Sequence, residues 1–124
     1  MHRLTTGSPF EARLAYSRAV VKGDWCFVSG VTGYDYADMT MPADACQQAR
    51  NCFTTIFSVL EQAGFAPADI VRVQYTITDA ALVDVIAPAL SDALGDIQPA
   101  ATMVVAGLIR PEMRVEIEVT AFRG

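Results

Sequence analysis

The stretch QPAATMVVAGLIRPEMRVEIEVTAF, residues 98–122, constrains the fold most. It predicts two strands joined by a turn around Pro111. Along the first, Ala101, Met103, Val105 and Gly107 fall on one face, and Thr102, Val104, Ala106 and Leu108 on the other. Both faces are largely apolar. A chain of 124 residues offers a single core, so one face of such a strand needs a cover the chain itself does not supply. In the second strand Val115, Ile117 and Val119 alternate with Glu116 and Glu118, which places both carboxylates on the face turned away from the core.

The rest of the chain supplies one layer of cover. Val20-Val21, a Lys22-Gly23-Asp24 turn and the run from Trp25 to Ser29 predict a hairpin, followed by a loop broken at Gly33, Asp35, Asp38 and Pro42. Cys46, Ala49, Phe53, Ile56, Leu60 and Ala63 then recur at helical steps, with Gly64 as the stop. DIVRVQYTIT predicts a strand with Val71, Val73, Tyr75 and Ile77 on one side. Asp79 is the expected N-cap of a second helix carrying Leu82, Val85, Ile86, Ala89, Leu90 and Ala93, with Pro88 inside its pattern. The order β-β-α-β-α-β-β over residues 1–124 is a single α+β domain: a sheet with two helices on one face.

Composition agrees with an uncovered second face. Hydrophobic residues make up 52% and charged residues 19%, against about 25% charge in an ordinary soluble domain. This points to self-association. A formal charge of −5, with scattered Arg3, Arg13, Arg18 and Lys22, argues against nucleic acid as a partner. Cys26, Cys46 and Cys52 lack paired or metal-ligand spacing and are expected as buried thiols in a reducing, cytoplasmic setting. No apolar run predicts a membrane span and no signal-peptide pattern opens the chain. His2, the one histidine, is expected at a mobile terminus. No metal or cofactor is anticipated.

Nearly the whole chain resembles the RidA/YjgF/YER057c/UK114 (Rid) family. The resemblance is carried by YSRAV, GDWCFVSG, QQARNCFTTIFSVLEQAGFAPADIVRVQYTITD, PAATMVVAGL and VEIEVTAF, in the family's order. It implies a chorismate mutase-like fold, with helices on one side of a mixed sheet, assembled as a homotrimer with ligand clefts between subunits. It also implies cofactor-free hydrolysis of 2-imino acids to 2-oxo acids and ammonia. In that chemistry the arginine of P-A-R-[ST] clamps the substrate carboxylate, and a glutamate on the last strand handles the attacking water.

This chain departs at the clamp. Pro99-Ala100-Ala101-Thr102 puts Ala101 at the arginine position, Met103 stands two residues on, and Ala87 replaces a helix asparagine. Glu116 is retained as the catalytic candidate. Tyr16, Gly30, Val31, Ala101, Thr102 and Met103 are the ligand-binding candidates carried over by position. The residues alone leave alternatives: an ion pair of Glu116 with Arg72 or Arg114, a core role for Tyr16, and a strand-end bulge at Gly30. Arg110 is either a solvated loop arginine or a substitute anchor. The functions implied are an imine or enamine hydrolase with a non-classical substrate, or a metabolite-binding or regulatory trimer. The endoribonuclease activity of the family label L-PSP fits the acidic composition least.

Overall fold

In the computed structural model, which describes residues 1–124, the long helical pattern forms α2 (Ala45–Gln62). The Asp44 side chain caps it by accepting from the Gln47 N–H at 3.2 Å. Gly64 ends it at φ +84°. There the N–H groups of Phe65 and Gly64 return to the carbonyls of Leu60 and Glu61 at 2.8 and 3.0 Å, a closure that needs a left-handed residue.

The second predicted helix is α3 (Leu82–Leu94), which runs through Pro88. Asp79 is not its cap. Its carboxylate accepts from the Ala81 N–H at 2.8 Å and its carbonyl from the Leu82 N–H, forming a turn from which the helix begins at Leu82.

The strands are β2 (Ala19–Lys22), β3 (Trp25–Thr32), β4 (Ile70–Ile77), β5 (Ala100–Val105) and β6 (Val115–Phe122), joined by two elements without a readable period. One is β1 (His2–Leu4), which pairs His2 with Val21, so the terminus holding His2 is a strand rather than a loose end. The other is α1 (Pro9–Arg13), five residues capped by Ser8. Three- and five-residue elements are too short for periodicity to reveal. All six strands form one sheet in the order β1-β2-β3-β6-β4-β5. Every pair is antiparallel except β4 with β5, which α3 connects.

Alternation along central β6 divides the molecule. Val115, Ile117, Val119 and Ala121 are buried under the helices with Cys52, Phe53, Ile56 and Leu60. Glu116, Glu118 and Thr120 lie on the opposite, open face. In β4, Val73, Tyr75 and Ile77 join the core, but Val71 does not. Ile70 pairs with Ala121 and Arg72 with Thr120, so Val71 is an extra, bulged residue and remains 44% exposed.

The open face is apolar only in part. Trp25 and Phe27 are exposed there, stacked at 6.2 Å, with Phe122 edge-on to Trp25 at 4.6 Å. Val104 is exposed on the edge strand β5. Between them lie Arg72, Gln74, Glu116 and Glu118.

Beyond the main core, Phe10, Tyr34 and Met113 form a small second one between α1, the loop 33–41 and the connection 106–114. A buried amide ties this region to α2. Gln48 donates to the carbonyls of Pro42 and Glu112 at 2.8 and 3.0 Å and accepts from the Arg114 N–H at 2.9 Å. Gln48→Leu orphans three backbone groups, each costing about 1–3 kcal/mol when unsatisfied. Allowing for partial relaxation, chemical denaturation is expected to show a loss of about 3 kcal/mol, with unaltered midpoints refuting the structural role.

Candidate functional site

Glu116 lies between two threonines, opposite Thr32 of β3 and Thr76 of β4. Where β3 shifts register between Val28 and Val31, Gly30 leaves a hollow and the Glu116 side chain lies across it. A Cβ at position 30 would stand 2.6 Å from the Glu116 carboxyl carbon. Glycine here is a matter of close approach.

The carboxylate has no hydrogen-bond donor among the side-chain contacts of the protein, and none of the three ion pairs includes it. Arg72 is engaged elsewhere, donating to Gln74 Oε1 at 3.2 Å and Thr102 Oγ1 at 3.4 Å. Arg114 likewise makes no ion pair. Burial, reinforced by the Glu118 charge and opposed by that of Arg18, raises the Glu116 pKa above the ordinary glutamate value.

Arg18, read from sequence as one of several scattered cations, is the residue sequence reasoning missed. It is wholly buried. Its Nη1 donates to the Gly30 carbonyl at 2.8 Å, and its guanidinium lies 5.7 Å from the Tyr16 ring and 5.1 Å from that of Tyr36. Glu11 Oε2 is 3.6 Å from Nε, which has no hydrogen-bond partner. Burial opposes ionisation of Glu11, but hydrogen bonds from Thr5 and Thr6 and the Arg18 charge outweigh it and lower its pKa. The one signal in the sequence is a cation placed directly before an apolar strand.

The other carried-over positions divide into two groups. Tyr16 is half-buried, between the second core and the Arg18 guanidinium. Val31 is fully buried and pairs with Ile117, and its carbonyl accepts from the Cys52 thiol at 3.2 Å. Only its backbone is available to a ligand. Tyr16, Gly30 and Glu116 thus gather around Arg18, while the Val31 side chain belongs to the core.

Ala101 and Met103 do not join them. They pair with Val73 and Tyr75 and so lie on the helix side of edge strand β5. Thr102, opposite Gln74, is on the open side but bonded to Arg72. Arg110 is turned over Phe10, 5.4 Å from its ring. One chain does not bring Ala101 and Glu116 onto a common surface.

Cys26 and Cys52 are buried and Cys46 is half-buried, all three free. No group of histidine, cysteine and carboxylate side chains has metal-binding geometry, and no helix is long and apolar enough to cross a membrane.

The Glu116–Gly30 contact and the raised Glu116 pKa each carry a test. Gly30→Ala is expected to cost about 1–3 kcal/mol through overpacking, and much less in a Glu116→Ala background. Additive losses in the double-mutant cycle would deny the contact. The raised pKa has a definite sign. The folded protein retains a proton at Glu116 that the unfolded chain releases, so this group reduces stability as pH rises through the ordinary glutamate value, with the full cost above the folded pKa. Glu116→Gln is therefore expected to gain stability over wild type at neutral pH and to lose that advantage below about pH 4. A pH-independent difference in denaturation midpoints would contradict it.

Residues 6–123 match the endoribonuclease L-PSP family. The crystal structure of Rv2704 from Mycobacterium tuberculosis, a member of the YjgF/YER057c/UK114 family, is similar with a TM-score of 0.89 and 34% identity, covering 98% of each chain. RidA from an Antarctic Psychrobacter is similar with a TM-score of 0.82 and 28% identity, covering 87% of this chain and 88% of that one. The uncharacterized protein SCO2049 of Streptomyces coelicolor is 27% identical over 125 residues, covering 100% of this chain and 93% of the relative.

Proposed function

The chain belongs to the endoribonuclease L-PSP (YjgF/YER057c/UK114) family, and we propose that it is a small-molecule hydrolase of imines or enamines, with Glu116 as general base. On this reading the ligand cleft lies between subunits of a homotrimer. The observation that carries it is the half-buried carboxylate of Glu116, to which no side chain donates and which sits beside a glycine that makes room for it. A partly desolvated acid without a partner is costly as structure and useful as a proton acceptor poised nearer neutrality.

Glu116 accepts a proton from water as the water oxygen bonds to the carbon of the protonated imine, whose C=N π electrons pass to nitrogen, giving a neutral carbinolamine. The carboxyl group returns that proton to the nitrogen, and the regenerated carboxylate takes the hydroxyl proton as the C–N bond breaks, releasing ammonia or an amine and leaving the carbonyl. No external oxidant or reductant is needed. The acidic pair Glu116 and Glu118 favours a protonated, cationic imine, the more electrophilic form.

Ala101 defines the substrate class. A methyl group cannot hold a carboxylate, and Met103 and Val105 extend the same apolar strip, so the substrate has an uncharged, apolar substituent where classical 2-imino acids have their carboxylate. The same substitution favours a second reading, a non-catalytic metabolite-binding trimer. An endoribonuclease role is opposed by the acidic open face and the net charge of −5.

The test is hydrolysis of 2-iminopropanoate and of an imine lacking a carboxylate, followed through the carbonyl product. Two missing charge-assisted hydrogen bonds, each worth about 1.5–3 kcal/mol, lower kcat/KM on the 2-imino acid by roughly two to four decades relative to an arginine-containing relative. Ala101→Arg is expected to recover part of that loss. Activity on the neutral imine should rise with pH through the elevated pKa of Glu116 and vanish in Glu116→Gln. Full activity in that variant removes Glu116 from the chemistry, and binding without turnover in wild type selects the second reading. Analytical ultracentrifugation at micromolar concentration is expected to give a trimer; a stable monomer would sink the shared cleft.

A further inference from the structure

A second cleft, of about 480 Å³, opens between α1 and the connection 106–114, lined by Phe10, Arg13, Leu14, Ile109 and Arg110. Its walls combine features a free surface seldom keeps together. Leu14 and Ile109 are 54% and 67% exposed, although both are large aliphatic residues. Arg110 lies over the Phe10 ring, 5.4 Å from its centre, and Arg13 closes the last turn of α1.

Neither arginine has an ion-pair partner. The acids on the same two segments are already bound. Glu112 accepts from the Tyr34 hydroxyl at 2.5 Å, and Glu11 is held by Thr5, Thr6 and Arg18. Two guanidinium groups thus flank an apolar wall with neither in an ion pair, Arg110 having only the charge of Glu112 nearby. The backbone maintains the arrangement at a cost: Ala15, a non-glycine residue, is held at φ +59° directly after Leu14.

We infer that this cleft is a binding site for an amphipathic monocarboxylate, its head on Arg13 and Arg110 and its aliphatic or aromatic tail along Phe10, Leu14 and Ile109. Paired guanidinium groups suit a carboxylate, which can accept two hydrogen bonds from each fork. The volume lies within the roughly 300–1,000 Å³ of small-molecule sites, and apolar lining with a few convergent polar groups is their usual construction. The site is independent of Glu116 and of the reaction proposed for it.

Octanoate, kept below its aggregation concentration, is the probe, titrated into the full-length protein by calorimetry and by amide chemical shifts. Saturable binding is expected, with shifts at Leu14, Ile109 and Arg110. Acetate, lacking the tail, and octanol, lacking the charge, are each expected to bind at least tenfold more weakly. Arg13→Gln and Arg110→Gln should each weaken octanoate about tenfold, in line with loss of one charge-assisted contact. Glu116→Gln should bind octanoate as wild type does, which separates this site from the proposed hydrolase cleft. The inference is overturned by absence of saturable binding, by equal affinity for octanol, by insensitivity to both arginine variants, or by shifts confined to Gly30 and Glu116.

Discussion

The alternation of β6 couples the hydrophobic core to the chemistry. Val115, Ile117, Val119 and Ala121 have to face the helices, because the core loses its centre otherwise. With a period of two, Glu116 and Glu118 are then forced onto the other face. No register slip can relieve this, since a shift of one residue would drive both carboxylates under α2. The packing that stabilises the protein thus also holds an acid in the middle of its open face. The neighbouring strand accommodates it through the Gly30 hollow, and the bulge in β3 turns the Gly30 carbonyl toward Arg18.

Arg18 is the electrostatic counterpart of that arrangement. A buried guanidinium is tolerable only when paired, and Glu11 with its threonine donors supplies the pair. Breaking such a pair costs about 3–5 kcal/mol, because a charge is then stranded in the interior. The charge of Arg18 also reaches Glu116 and restrains the rise in its pKa. The N-terminal segment, through Glu11, is therefore tied to the sheet position where the acid lies. Gln48 does comparable work without charge, locking the connection 106–114 to α2 just before β6 begins.

Much of this was legible in the residues because it is periodic. α2, α3 and the alternation of β4 and β6 follow from the spacing of apolar side chains, and the stop at Gly64 follows from local backbone chemistry, whereas the expected cap at Asp79 belongs to a turn and Asp44 does the capping of α2. Aperiodic features were not legible. The β4 bulge exposes Val71 by inserting one residue, which no alternation count can foresee. β1 and α1 are too short to carry a pattern, and the burial of Arg18 depends on Glu11, Tyr16 and Tyr36 converging from different segments. The candidate site was legible only by position. Glu116 lies against Gly30, a closeness that no pattern in the residues announces, whereas Val31 is committed to the core and Ala101 and Met103 face the other side of the sheet.

That division has a structural consequence. β5 is an edge strand of six residues, Ala100–Val105, without a single charge, proline or bulge to discourage pairing. Exposed edges of this kind invite another strand or surface, and proteins that leave them bare ordinarily protect them. A ligand that touches both Ala101 and Glu116 requires surfaces from two chains, because one chain presents them on opposite faces. Contact between copies would meet both requirements at once, covering the unguarded edge and setting the apolar strip of β5 against the open face that carries Glu116. On the proposed reading, the loss of the arginine clamp changes what that strip can recognise and leaves the reason for assembly intact, since the edge still needs its cover.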